Sequence, residues 1–250
     1  MDSASRRRWA TGVAAAVAAI AAGTIVIVET RGEGRAHGTA VRTPKASASL
    51  ATPSPPASSL LPLTGRLQAN PYYAEPAAAA ISLSTFGITV DQSAVAKKMK
   101  MNRRGYASKS IDGVVNGYLH DTPYQVNTAG GPDSEPDFVM REVAYDVGVL
   151  RRAPMVAVWG ERLPWRKDTT RGRRVDHMVV AFGYDRSKGT VAVFDPWPEK
   201  GGPHTLSVAA LAKALQTGGL CFIYKRSWSW NTRTATPGVS PSVSSSSSPA

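Results

Sequence analysis

His177 and Asp195 are two residues whose types and spacing could do chemistry together. They lie in the stretch Val175 to Pro198, VDHMVVAFGYDRSKGTVAVFDPWP. Within it, Met178 to Phe182 and Thr190 to Phe194 are short runs rich in β-branched and aromatic residues, parted by the turn sequence DRSKG. That pattern predicts a β-hairpin. Antiparallel pairing sets the start of the first strand beside the end of the second, and therefore His177 beside Asp195. An imidazole held by a carboxylate is the oriented general base of nucleophilic catalysis. The plainer reading is a surface histidine at a strand entry and an aspartate opening a D-P-W turn. Both runs are almost continuously apolar, so both strands are expected to be buried on both faces.

A base needs a nucleophile, and helix starts are where nucleophiles are activated. The first turn of a helix offers free N–H groups and a positive dipole end, which favour a thiolate and an oxyanion. The spacing predicts such a helix over Pro76 to Phe86, PAAAAISLSTF, with Ala77, Ala80, Ile81 and Ser84 on one face and Gly87 as its stop. Pro76 suits a first turn, where a missing N–H costs nothing. Further helices are expected from an Asp91 cap to about Met99, from a Ser108 or Ser110 cap through Leu119, and over Pro136 to Val149. After Pro154 the pattern changes to strands: Met155 to Trp159, the hairpin, His204 to Leu206, and Leu220 to Tyr224. A helix capped by Ser207 runs through Leu215 and is expected to end at Gly218-Gly219. Helices first and an antiparallel sheet second give an α+β class, two layers around one core.

Composition bounds the rest. The 250 residues are 42% hydrophobic, enough for one domain with a real core. The single cysteine, Cys221, excludes an intrachain disulfide and a cysteine metal site. The formal charge is +12, but Arg66 to Trp230 holds 22 basic and 15 acidic residues, a net of +7. This is a moderately basic domain and not a polycation, and it carries no nucleic-acid motif. Arg6-Arg7-Arg8 precedes an uncharged run, Trp9 to Val28, about long enough to span a bilayer with the arginines inside. Residues 1–29 therefore read as a signal anchor, or alternatively as a cleaved signal peptide. Either places the domain outside the cytoplasm, on the cell membrane or secreted. Residues 30–64 are an Ala/Ser/Thr/Pro linker expected to stay disordered, the domain covers 65–228, and 229–250 is a similar Ser/Thr/Pro tail.

The segments QANPYYAEPAAA, DHMVVAFGYD, VFDPW and HTLSVAALAKAL, in that order, resemble the papain-like cysteine peptidases of the bacteriocin-leader-peptidase (C-thirty-nine-like) type. The resemblance covers about Leu67 to Tyr224 and implies a papain-like fold. By that resemblance Gln68 matches the oxyanion-hole glutamine, His177 the general base and Asp195 the residue that orients it. Three positions depart from the pattern. Ala74 stands where the family has its cysteine, Glu75 where it has glycine, and Asp176 replaces the glycine before the histidine. An alanine methyl cannot attack a carbonyl, and a carboxylate at position 75 has the wrong sign beside a developing oxyanion.

Other candidates are weaker. Cys221, between Leu220 and Phe222 in an expected strand, reads as a small buried hydrophobe. Glu75 could act as acid or base with His177, or simply favour the positive end of a helix. His120 and His204 lack metal-ligand spacing and His37 lies in the linker, so no metal and no cofactor are expected. Arg162 to Arg174, RLPWRKDTTRGRR, has six basic residues around Trp165. It is expected to form a loop near the site, either merely solvated or touching an anionic cell-envelope surface or an acidic peptide. Two functions follow from the resemblance and its departures. One is a non-catalytic domain, membrane-tethered or secreted, that binds a peptide or an envelope partner in its cleft. The other is an active peptide hydrolase.

Overall fold

The computed structural model describes residues 53–128, 135–166 and 173–226. The apolar run Trp9 to Val28, most of the expected linker and the tail 229–250 lie outside the described residues. Among those described, no helix is long and apolar enough to cross a membrane.

The chain enters through β1 (Ser58–Leu60) and then builds three helices, α1 (Ala74–Ser84), α2 (Gln92–Lys98) and α3 (Ile111–Tyr118). Strand β2 (Tyr124–Thr128) and helix α4 (Pro136–Ala144) follow, and α4 runs on into a π-helical turn, Tyr145–Val149. The sheet half contains β3 (Met155–Trp159), β4 (Asp176–Asp185), β5 (Thr190–Asp195), β6 (Gly202–Ser207), helix α5 (Val208–Ala214) and β7 (Leu215–Lys225). All pairings are antiparallel, in the order β2-β7-β3-β4-β5-β6, with β1 on β4. The class is α+β, as the residue pattern requires.

The hairpin forms where its sequence places it, with Val180 opposite Phe194 and Asp185 opposite Thr190. A bulge between Ala181 and Gly183 shifts the register. The extra residue increases twist and bends the strand. Only β4 is buried on both faces; β5 alternates between half-buried and buried residues, so one of its faces is only partly covered. α1 packs on β4, β3, α2 and α3 at once. Hence Ala77, Ala78, Ala79, Ile81 and Leu83 are all buried, and no single apolar stripe exists for a periodicity argument to find. Four alanines in a row let the neighbouring backbones approach. Ser82, buried within it, donates its hydroxyl to the Ala153 carbonyl at 2.7 Å and so avoids an unpaired polar group.

Two boundaries differ from expectation. α5 stops at Ala214, and Leu215 turns at once into extended backbone, φ −55° and ψ 143°. Gly218 and Gly219 thus lie inside β7 and do not end a helix. The other difference is at the front. Ser58–Leu60 falls within the stretch whose composition predicts disorder, yet it pairs with β4 from Ser58↔Asp185 to Leu60↔Gly183. Gly183 makes this approach possible, since a Cβ there would lie 2.5 Å from Leu60 Cδ1. Leu61 is buried behind the strand, Tyr184 donates to the Pro56 carbonyl at 2.9 Å, and Arg151 donates to the Ser59 hydroxyl at 2.7 Å. A chain beginning at Gly65 is therefore expected to be less stable than one beginning at Pro53. Losing Leu61 burial and these hydrogen bonds should cost about 3 kcal/mol. Equal urea midpoints for the two chains would show that β1 is only laid on the surface.

Candidate active site

β4 and β5 bring His177 and Asp195 together. Nε2 of His177 lies 2.7 Å from Oδ1 of Asp195, and both side chains are buried. An ionised carboxylate only accepts, so Nε2 carries the proton and Nδ1 is the acceptor nitrogen of a neutral ring. Asp195 takes three further contacts. The Trp165 indole donates to Oδ2 at 2.8 Å, the Trp197 backbone N–H donates to Oδ1 at 2.8 Å, and Arg166 Nη1 stands 3.9 Å from Oδ1. Burial alone would raise the Asp195 pKa, but the hydrogen bond and charge of His177, with the Trp165 and Trp197 donors, hold it below the ordinary carboxylate value. His177 shifts downward. Burial dominates, the Asp195 bond and charge oppose it, and the Arg166 charge assists it. The pair is therefore a carboxylate and a neutral imidazole.

Arg166 is the residue that sequence reasoning missed. It is only 1% exposed, and its guanidinium lies 4.4 Å from the centre of the Trp197 ring. Burial lowers its pKa and Asp195 raises it again, and an arginine stays charged against any such shift. Trp165 beside it stacks flat on His204, 3.9 Å between ring centres. The stretch Arg162 to Arg174 is thus not one solvated loop. Its described part turns Trp165 and Arg166 inward under the Asp195 carboxylate. Arg162 donates to the Lys213 carbonyl at 2.8 Å, and Arg174 lies 3.5 Å over the Trp159 ring. Residues 167–172 lie outside the described residues. The signal for this role was the tryptophan inside a basic run.

The other expected site residues are placed as follows. Helix α1 begins two residues before Pro76, so Ala74 and Glu75 form its first turn. Both line a cleft of about 720 Å³ together with His177, Asp176, Trp197, Tyr72 and Gln216. The methyl of Ala74 therefore occupies the helix start that faces the histidine's cleft. The Glu75 carboxyl is pushed up, first by burial and then by the charge of Asp176. Gln68 is buried, but its amide Nε2 donates to the Asn70 carbonyl at 2.8 Å, within its own loop. Its backbone N–H donates to the Pro196 carbonyl at 2.6 Å, tying this loop to the turn after Asp195. One N–H of the Gln68 amide is thus held by its own loop.

Position 74, the helix start and the His177–Asp195 pair are now located in one groove between helix and sheet. Residues 61–218 match the model of the Peptidase_C39 like family. The chain belongs to this family. Among solved structures it is similar to the peptidase domain of Streptococcus ComA, a bifunctional ABC transporter involved in a quorum-sensing pathway, at 16% identity, covering 66% of this chain and 96% of that one, TM-score 0.42. It is also similar to a double-glycine-motif protease from an AMS/PCAT transporter in complex with its leader peptide, at 12% identity over 66% and 91% of the two chains, TM-score 0.43. A C39-like peptidase from Bacillus anthracis gives 17% identity over 68% and 98%, TM-score 0.47. No curated protein matches the chain. The fold is that of papain-like cysteine peptidases, helices packed on an antiparallel sheet.

Within this peptidase-family domain the single thiol is elsewhere. Cys221 is buried in β7, paired with Met155 and Thr128 on its neighbours, and its thiol is pushed up to about 12 by burial and then by nearby acids, Asp112 before Glu75 and Asp146. A thiol of that kind is inert at neutral pH. His120 is exposed beside Asp121, and His204 is engaged with Trp165 and the Lys200 carbonyl. Among the described residues no group of His, Cys, Asp and Glu is arranged to hold a metal ion.

Proposed function

We propose that this domain is a catalytically silent member of its peptidase family that binds an extended peptide in the former substrate cleft. The observation that carries the reading is Ala74 at the first turn of α1, in the same cleft as a complete His177–Asp195 pair. The site keeps its base and the base's support, while the position of the family's nucleophile holds only a methyl group. Gln68 engaged with Asn70 and a carboxylate at Glu75 add to this, because both weaken the stabilisation of an oxyanion. What the cleft offers instead is recognition. The Nδ1 lone pair of His177 accepts a hydrogen bond from a peptide N–H, while Trp197 and Tyr72 supply aromatic surface beside the polar groups of the cleft.

A hydrolase built on Glu75 is the second reading. Its carboxyl lines the cleft, and its raised pKa keeps a proton at higher pH than an ordinary glutamate. One experiment separates the two. A peptide library is incubated with wild type and with Glu75→Gln, binding is followed by fluorescence polarisation, and products are sought by mass spectrometry. Binding without cleavage is expected from both proteins. Cleavage by wild type that is lost with Glu75→Gln would overturn the silent reading.

The reading includes a location. Arg6-Arg7-Arg8 ahead of Trp9 to Val28 supports a domain held outside the cytoplasm, by the anchor or by secretion. Protease added to intact cells should remove an anchored domain, and a secreted one should be found in the medium. A domain retained within the cells and protected from protease would contradict the location while leaving the cleft reading standing.

A further inference from the structure

One stretch of chain that lines the cleft is strongly basic. Between Asp91 and Asp112 the chain has no acidic residue and six cations, Lys97, Lys98, Lys100, Arg103, Arg104 and Lys109. All six are exposed. None of the five other than Lys98, which lies 3.8 Å over the Tyr118 ring, has an ion-pair partner among the described residues. Arg104, Tyr106 and Lys109 line the cleft itself, together with His177 and Trp197.

The wall is built, not loose. Asn102 accepts through its side-chain oxygen from the backbone N–H groups of Arg104 and Tyr106, at 2.9 and 3.1 Å. Its own N–H donates to the Tyr106 carbonyl at 2.9 Å, and its carbonyl accepts from Gly105 at 3.0 Å. Ser108 and Lys109 both donate to the Met99 carbonyl at 3.1 Å. Gly105 takes φ +85°, and a Cβ there would sit 2.9 Å from the Tyr72 ring, so Tyr72 seats directly on the loop. The result presents two exposed tyrosine rings, Tyr72 at 53% and Tyr106 at 71%, among exposed cations on a held backbone. The same cleft also holds two acids, Asp176 next to His177 in β4 and Glu75, whose carboxyl feels the Asp176 charge.

We infer that this wall, Arg103 to Lys109, reads acidic side chains of a peptide lying in the cleft, and that the domain's ligands are anionic peptides oriented by this polarity. The inference rests on the reading of the cleft as a peptide groove and adds the chemistry of its ligand. Carboxylates meet Arg104 and Lys109, the rings of Tyr72 and Tyr106 cover the intervening backbone, and Glu75 and Asp176 keep the same charges away from the part of the cleft they line. A polymer of phosphates would need cations along its whole track, whereas the lining of this cleft mixes Arg104 and Lys109 with the acids Glu75 and Asp176.

The test uses three fluorescein-labelled peptides of equal length, with Glu, Gln or Lys at alternate positions. Each is titrated against wild type and against the charge-reversed variant Arg104→Glu/Lys109→Glu, at two salt concentrations. Both substitutions are on exposed side chains, and an unchanged thermal midpoint checks the fold. Wild type should bind the Glu peptide at least about tenfold more tightly than the Gln peptide, since an exposed charge pair contributes up to about fivefold. Added salt should weaken that preference. The variant should reverse it towards the Lys peptide. Equal binding of all three peptides would overturn the acidic-ligand inference and leave the groove reading intact. No binding of any peptide would overturn both. Inorganic polyphosphate displacing the Glu peptide at equal charge concentration would overturn it in favour of a general anion surface.

Discussion

Arg166→Met is expected to lower the stability of the domain by about 3 kcal/mol at neutral pH. Removing one partner of a buried charge pair leaves the other uncompensated, at a typical cost of about 3–5 kcal/mol. The lower end applies because Asp195 keeps His177, the Trp165 indole and the Trp197 N–H. Methionine retains most of the volume that packs on Trp197, so the loss reports charge more than space. The pH dependence tells these apart. In wild type His177 titrates below its ordinary value. On acidification through about pH 6.5 the unfolded chain takes up a proton that the folded one does not, and stability falls until the folded pKa is reached. Without Arg166 the imidazolium becomes the natural counter-charge of Asp195 and the His177 pKa rises. The variant then loses less stability on acidification, and its deficit against wild type narrows from pH 8 to pH 5. Urea unfolding across that range measures the gap, and an NMR titration of the His177 ring reads its pKa directly. A gap that does not change with pH, together with an unmoved ring titration, would mean that Arg166 acts by packing alone.

The second large effect is a gain. Wild type should be unreactive towards a thiol-directed peptidyl epoxide, since Ala74 has no sulfur and the Cys221 thiol is buried and pushed up to about 12. Ala74→Cys puts a thiol at the first turn of α1, where helix N–H groups favour a thiolate. Glu75 next to it opposes that charge, so the single variant should label slowly. Ala74→Cys with Glu75→Gly should label readily, with His177 Nδ1 taking the thiol proton, and Ala74→Cys/Glu75→Gly/His177→Ala should lose the labelling. Peptide hydrolysis by the double variant should stay below that of an intact site, because one N–H of the Gln68 amide is already given to the Asn70 carbonyl. A folded double variant that resists the epoxide would show that α1 and His177 are too poorly aligned for catalysis by any residue at position 74.

Some of this site was readable from residues alone and some was not, for definable reasons. The hairpin was legible because β-branched runs and a DRSKG turn specify pairing locally, and that pairing sets His177 against Asp195. Helix α2 followed from its Asp91 cap, and the α3 start resolves to Ser110. Strand β1 was illegible because Ser58, Ser59 and Leu60 have little strand preference of their own; β4 imposes it through long-range hydrogen bonds. The Gly218-Gly219 pair misled for the opposite reason. Glycines usually stop helices, but here Gly219 lies close to the Ala157 carbonyl within the paired sheet. Arg166 could not be placed because burying a guanidinium depends on a carboxylate from another strand. The bond from the Gln68 amide to the Asn70 carbonyl was illegible too, because it is set by the conformation of the loop from Leu67 to Tyr73.

In mechanical terms, β1 decides what a pull on the N-terminal side of the domain does. Tension applied ahead of Pro53 enters the fold through three residue pairs at the Asp185 end of β4. His177 sits at the opposite end of the same strand, roughly 26 Å away for eight residues of extended chain. Peeling β1 therefore dissipates load where no cleft residue contributes a bond, and the groove around His177 is shielded from strain that enters through the N-terminal side.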